Sequence, residues 1–144
     1  MAGSSTNLKW YGPEFDRRYR RFLTLWLNVS VRLVRQHAVR LLSVAGTGRS
    51  GRGRKAKQVY GANPSKPGEP PRKQRGRLRA SVATEVDVEK ASGRVGTSLK
   101  YGRYLELGTR KMAARPWLRR SLNETKAAIK EAATRTWNQV MTSP

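Results

Sequence analysis

The sequence predicts an α+β fold: a long N-terminal helix and a C-terminal helix packed on a small antiparallel β-sheet, with a long basic loop between them. Three patterns carry this expectation. Apolar residues recur every three or four positions from Phe15 to Leu33, with Leu41 further on, the period of one helical face. From Leu78 to Val88, and again from Val95 to Leu99, they alternate, the period of a half-buried strand. Residues 46–76 show neither period and are rich in Gly, Pro, Lys and Arg. A chain of 144 residues suits a single domain spanning 1–144.

Gly12-Pro13-Glu14 signals the start of the first helix. Proline is tolerated in a first turn, whose N–H groups lack intrahelical partners, and Glu14 and Asp16 face the positive end of the helix dipole. Phe15, Tyr19, Phe22, Trp26, Val29, Leu33 and Leu41 then form one face, widened by Leu23, Leu27, Val34 and Leu42. Arg17, Arg18, Arg21, Arg32 and Arg35 hold the opposite side. The helix is expected from about residue 13 to about 45, ended by Gly46. So wide a stripe needs a partner to cover it.

Residues 46–76 read as a flexible basic loop, punctuated by Gly46, Gly48, Gly51 and Gly53 and then by Pro64, Pro67, Pro70 and Pro71. Leu78, Ala80, Val82, Thr84, Val86 and Val88 form the first strand, Glu89 to Gly93 a turn, and Val95, Thr97 and Leu99 the second strand. A two-stranded hairpin is marginal alone, so further strands or neighbouring subunits are expected. Tyr101 to Leu107 reads as a short helical turn ended by Gly108. Pro116 opens the last helix, with Leu118, Leu122, Thr125, Ile129, Ala133, Thr136 and Val140 on one face. No internal repeat is visible.

Charge narrows the function. The chain carries 31 basic and 9 acidic side chains, a formal net charge of +22. Residues 46–79 hold eleven of the basic groups and one acidic group, and so form the electrostatic centre. Such a segment buries too little apolar surface to offset its ordering entropy. It attracts polyanions, nucleic acid through counterion release or an acidic protein equally well. Arg49, Arg52, Arg54, Lys55 and Lys57 are the candidate contacts for DNA or an acidic partner. No signature for base-specific reading accompanies them.

Enzyme chemistry finds little footing. With no cysteine there is no disulfide scaffold, thiolate metal site or thiol nucleophile, and the single His37 removes paired-imidazole sites. No metal or cofactor is expected. Residues 46–51, Gly-Thr-Gly-Arg-Ser-Gly, satisfy the dinucleotide-binding glycine pattern, but a helix precedes them where a strand is required, so they read as a linker. His37, beside the apolar stripe and without a neighbouring carboxylate in sequence, reads as structural. Trp26, Trp117 and Trp137 read as core, and Trp10 with Tyr11 as a staple at the helix entry or a contact to another subunit. Glu106, flanked by Arg103 and Arg110, lacks a partner acid or histidine, so an ion pair fixing the turn before Gly108 is expected. No apolar run is long enough to span a membrane and no secretory leader is visible, which points to a cytoplasmic protein or to something assembled in the cytoplasm.

Four short blocks in the second half form a recognisable order: Ser65-Lys66-Pro67-Gly68-Glu69-Pro70-Pro71; Gly76-Arg77-Leu78-Arg79-Ala80-Ser81-Val82; Val95-Gly96-Thr97 with Tyr101-Gly102-Arg103-Tyr104-Leu105-Glu106-Leu107-Gly108-Thr109; and Arg115-Pro116-Trp117-Leu118. This order resembles the small head–tail connector, or tail-completion, family of long-tailed bacteriophages. The likeness covers residues 65–122. Gly102 stands where that family commonly has Ala, and Arg75 where Thr often precedes the glycine.

The resemblance implies a non-enzymatic virion protein of the phage neck, assembled in the host cytoplasm. Its ring, a hexamer or dodecamer, would join or complete the head–tail interface and let DNA pass. The implied partners are further copies of itself, neighbouring head-completion and tail-terminator or tail-tube proteins, and genomic DNA in non-specific contact. Gly68, Pro70, Pro71, Tyr101, Tyr104, Glu106, Gly108, Thr109, Arg115, Pro116 and Trp117 would shape the fold and the contacts between subunits, and Glu106→Ala would impair assembly more than folding. The alternative is a sequence-independent nucleic-acid-binding protein using the basic 46–79 segment.

Overall fold

The computed structural model describes residues 12–44, 65–73 and 75–142. Their order is α1 (Gly12–Leu41), α2 (Arg77–Ala80), β1 (Val82–Asp87), β2 (Ser92–Thr97), α3 (Lys100–Leu107) and α4 (Leu118–Met141). Two long helices and a two-stranded antiparallel sheet make an α+β arrangement.

Helix α1 is the spine, 30 residues and roughly 45 Å long at 1.5 Å per residue. It stops at Leu41, and a turn through Leu42 and Ser43 follows, so the helix ends before the expected boundary, and Gly46 lies outside the described residues. The buried positions are Leu23, Leu27, Val31, Val34, Ala38 and Leu42. The stripe read first from the sequence is therefore turned by about one residue, or ~100°, from the face that is buried. Phe15, Tyr19 and Val29 are exposed, while Phe22 and Trp26 are half-buried on the flank. The stripe is wide because α1 is covered on two sides, by α4 and by the hairpin.

α4 runs antiparallel to α1. From the start of α1 to its end, Arg18 donates to the Met141 carbonyl, Phe22 meets Trp137 edge to face, Trp26 donates to the Ile129 carbonyl and His37 meets Glu124. α4 turns Ser121, Thr125, Ala132, Thr136 and Val140 inward, whereas the expected Leu122 is exposed. The inner face is made of small residues, which allow close approach. Their hydroxyls are satisfied within the helix: Ser121 Oγ donates to the Trp117 carbonyl and Thr125 Oγ1 to the Ser121 carbonyl.

The hairpin lies along another side of α1. Val82 pairs with Thr97 and Asp87 with Ser92, with a turn at 88–91. Gly93, expected in the turn, lies in β2, where an added Cβ would fall 2.6 Å from Val31 Cγ1, so its lack of a side chain sets the helix–sheet approach. Arg35 donates to the Val82 carbonyl and Arg20 pairs with Glu89, so the hairpin tip points towards the N-terminal end of α1. Leu78 and Ala80, expected to begin the strand, are instead helical in α2, and Leu78 enters the core with Ala38, Leu42, Val82 and Trp117. Two-residue alternation and a helical turn both place Leu78 and Val82 on one side, so the pattern could not separate them.

Candidate functional site

The family-like blocks, spread over fifty residues, meet at the end of α1 in one hydrogen-bonded unit. At its centre is Glu106, near the C-terminal end of α3. One carboxylate oxygen accepts from the backbone N–H groups of Trp117 and Leu118, each at 2.8 Å, and the other from Arg119 at 2.9 Å. Glu106 is thus an N-terminal cap for α4 supplied from another helix, where the dipole favours a negative charge. The expected ion pair to Arg103 or Arg110 does not form. Backbone donors win because three of them converge from one direction, whereas each Arg is a single exposed side chain.

Around Glu106 the other blocks lock together. Trp117 is 1% exposed, and its indole donates to the Gly102 carbonyl of α3. Arg115 N–H donates to the Leu105 carbonyl and its Nε to the Ser65 carbonyl, joining the last block to the first. Gly68 N–H donates to Ala114 O, and its φ of +84° with Pro67 before it suits a type II turn. Gly108 closes α3 with φ +77° and ψ 179°, and Thr109 pairs with Met112 in an isolated bridge. Pro116 leads into Trp117, and Pro70 and Pro71 carry the chain back towards α2.

Between the 65–78 segment, α3 and Leu42 lies an open groove of about 700 Å³. Its floor is apolar, formed by Leu42, Pro71, Leu78, Leu105 and Met112; its rim carries Arg72, Lys73, Arg75, Arg77 and Arg115, and no carboxylate lines it. Tyr101 and Tyr104 flank it, 41% and 52% exposed. Lys73, Arg77 and Met112 were not singled out individually in the sequence. The positive charge of 46–79 is the only signal for Lys73 and Arg77, and it cannot show that a groove stands beside them; Met112 carries no signal. Arg49, Arg52, Arg54, Lys55 and Lys57, the glycine-rich 46–51 stretch, Trp10 and Tyr11 lie outside the described residues.

His37 acquires the carboxylate partner that its sequence neighbours do not supply: its Nε2 lies 3.1 Å from Glu124 Oε2 on α4, while its buried Nδ1 has no partner among the described residues. The hydrogen bond from Arg120 Nε, at 2.7 Å, holds the Glu124 carboxyl below its ordinary value of 4.5, aided by the charges of Arg120 and His37. A carboxylate depressed on folding contributes stability that is present above its unfolded pKa and lost as pH falls through the folded one. Acid unfolding is therefore expected to be less steep below pH 4.5 in Glu124→Gln than in the parent chain, checked by far-UV circular dichroism against pH.

Among the described residues no cluster of three or more His, Asp or Glu side chains could hold a metal, and no helix is long and apolar enough to cross a membrane. Comparison with protein families, curated proteins and solved structures finds no match.

Proposed function

We propose that this chain is a non-enzymatic structural protein of the phage neck, forming a ring that joins or completes the head–tail interface. The observation that carries the reading is the convergence of the family-like blocks. Glu106 accepts from the Trp117 amide, the Trp117 indole donates to Gly102, Arg115 to Ser65 and Leu105, and Gly68 to Ala114, across fifty residues of sequence. That the short blocks pack together as one structural unit supports the reading.

The surface supports assembly as well. A heterologous ring needs two different patches on each subunit, one for each neighbour. Two are present. Tyr101, Tyr104 and Leu107 are exposed on α3, and Phe15, Tyr19 and Trp137 are exposed where the start of α1 meets the end of α4. Exposed apolar residues grouped in this way mark contact surfaces. The basic 46–79 segment would face DNA or an acidic neighbour in the neck.

Electron microscopy of lysates from a phage whose copy of this gene is silenced tests the role. Filled heads and finished tails lying unattached are the expected result. Normal infectious particles would reject the reading and favour the nucleic-acid-binding alternative.

A further inference from the structure

The basic groove has a complement on the same chain. Of the nine carboxylates, three fall within five residues of the hairpin, Glu85, Asp87 and Glu89, alternating with Val86 and Val88. The carboxylate side chains of Glu85 and Glu89 are 69% and 81% exposed. Their partners within the chain are surface ones, Arg94 at 3.9 Å and Arg20 at 3.3 Å, pairs that contribute little and exchange readily. No other five-residue stretch of the chain holds three acids.

The tip of this acidic hairpin, at Glu89, cannot reach the groove of its own molecule. Glu89 is held beside Arg20 on α1, whereas Leu42 lines the groove. Those α1 positions are separated by roughly 30 Å at 1.5 Å per residue. The groove also contains Ser65, 3% exposed, whose Oγ has no hydrogen-bond partner among the described residues and lacks an acceptor.

The geometry points to a head-to-tail contact in which the acidic hairpin of one copy docks in the basic groove of the next. Glu85 and Glu89, on the hairpin face turned away from α1, meet Lys73 and Arg77 on the rim, while Val86 stays against α1. The two surfaces differ, so the contact is heterologous and propagates, closing into a ring if the rotation permits. The contact rests on the ring reading above and specifies which surfaces make it.

Charge reversal tests it, with sedimentation velocity as the readout and circular dichroism as the check on folding. Lys73→Glu with Arg77→Glu, and separately Glu85→Lys with Glu89→Lys, should each weaken self-association at least ~10-fold. The first pair lowers the net positive charge, which by general repulsion alone would strengthen association, so a loss is diagnostic. The four-fold variant, and an equal mixture of the two double variants, should each restore assembly.

Because the chain has no cysteine, Arg77→Cys on one copy and Glu85→Cys on another should cross-link under oxidation, only between molecules. Assembly of the parent chain that is indifferent to the reversals, or loss without rescue, overturns this contact and leaves the ring standing. A parent chain that stays monomeric and uncross-linked at every concentration overturns both. Loss of assembly in the groove variant, with single-stranded DNA displacing the hairpin from the parent groove, would reassign the groove to nucleic acid.

Discussion

Gly108→Ala is expected to be the most damaging single-methyl change in the chain, costing about 3 kcal/mol or more, a fall in Tm of roughly 10 °C. At φ +77° and ψ 179° the residue occupies a region essentially reserved for glycine. The space is closed as well: a Cβ would stand 2.9 Å from Ala114 N and 2.9 Å from Met112 O, backbone atoms of a loop tied by the Thr109–Met112 bridge and by the Gly68 to Ala114 hydrogen bond. Neither strain nor clash can be relieved without moving the loop that carries Arg115 to Ser65. Gly96→Ala is the matched comparison, since a Cβ there meets nothing within 4 Å. Chemical denaturation of both variants checks the difference, and equal stabilities would refute the role given to Gly108.

Glu106→Ala is expected to destabilise the isolated subunit by about 2–3 kcal/mol, more than loss of an ordinary helix cap. Three backbone N–H groups at the start of α4 lose a charged acceptor together, and α4 covers one side of α1. The expected loss therefore falls on folding of the free chain as well as on assembly. Hydrogen exchange separates the two. The amides of Trp117, Leu118 and Arg119 should exchange faster in the monomeric variant, with amides in the middle of α1 protected until global unfolding. Glu106→Gln, which keeps the shape but not the charge, should fall between. Unchanged exchange at those amides would mean that the carboxylate holds nothing in place in the free subunit.

Much of the architecture was legible because it is written in local periods. The spacing of apolar residues placed both long helices, alternation placed the hairpin, and Gly108 and Pro116 marked the end of α3 and the approach to α4. Errors arose where two local codes give the same pattern or where the covering partner decides. Leu78 and Val82 fit strand and helical turn equally well. The ~100° turn of the α1 face, and the choice of Ser121 and Thr125 over Leu122, depend on which helix lies alongside and how closely it packs.

For the site, what can be read along the chain is the order of the blocks, the glycines with their turns, and an excess of positive charge around 46–79. Their contacts come from the folded core. It exchanged an ion pair for a helix cap at Glu106, joined Arg115 to Ser65 across fifty residues, gave His37 a carboxylate on another helix, and set five cations around an apolar floor. The reason is physical. Backbone preferences and periodic burial act over a few residues and can be read along the chain. Hydrogen-bond partners and grooves are set by distances between segments far apart in sequence, which exist only once the core has closed.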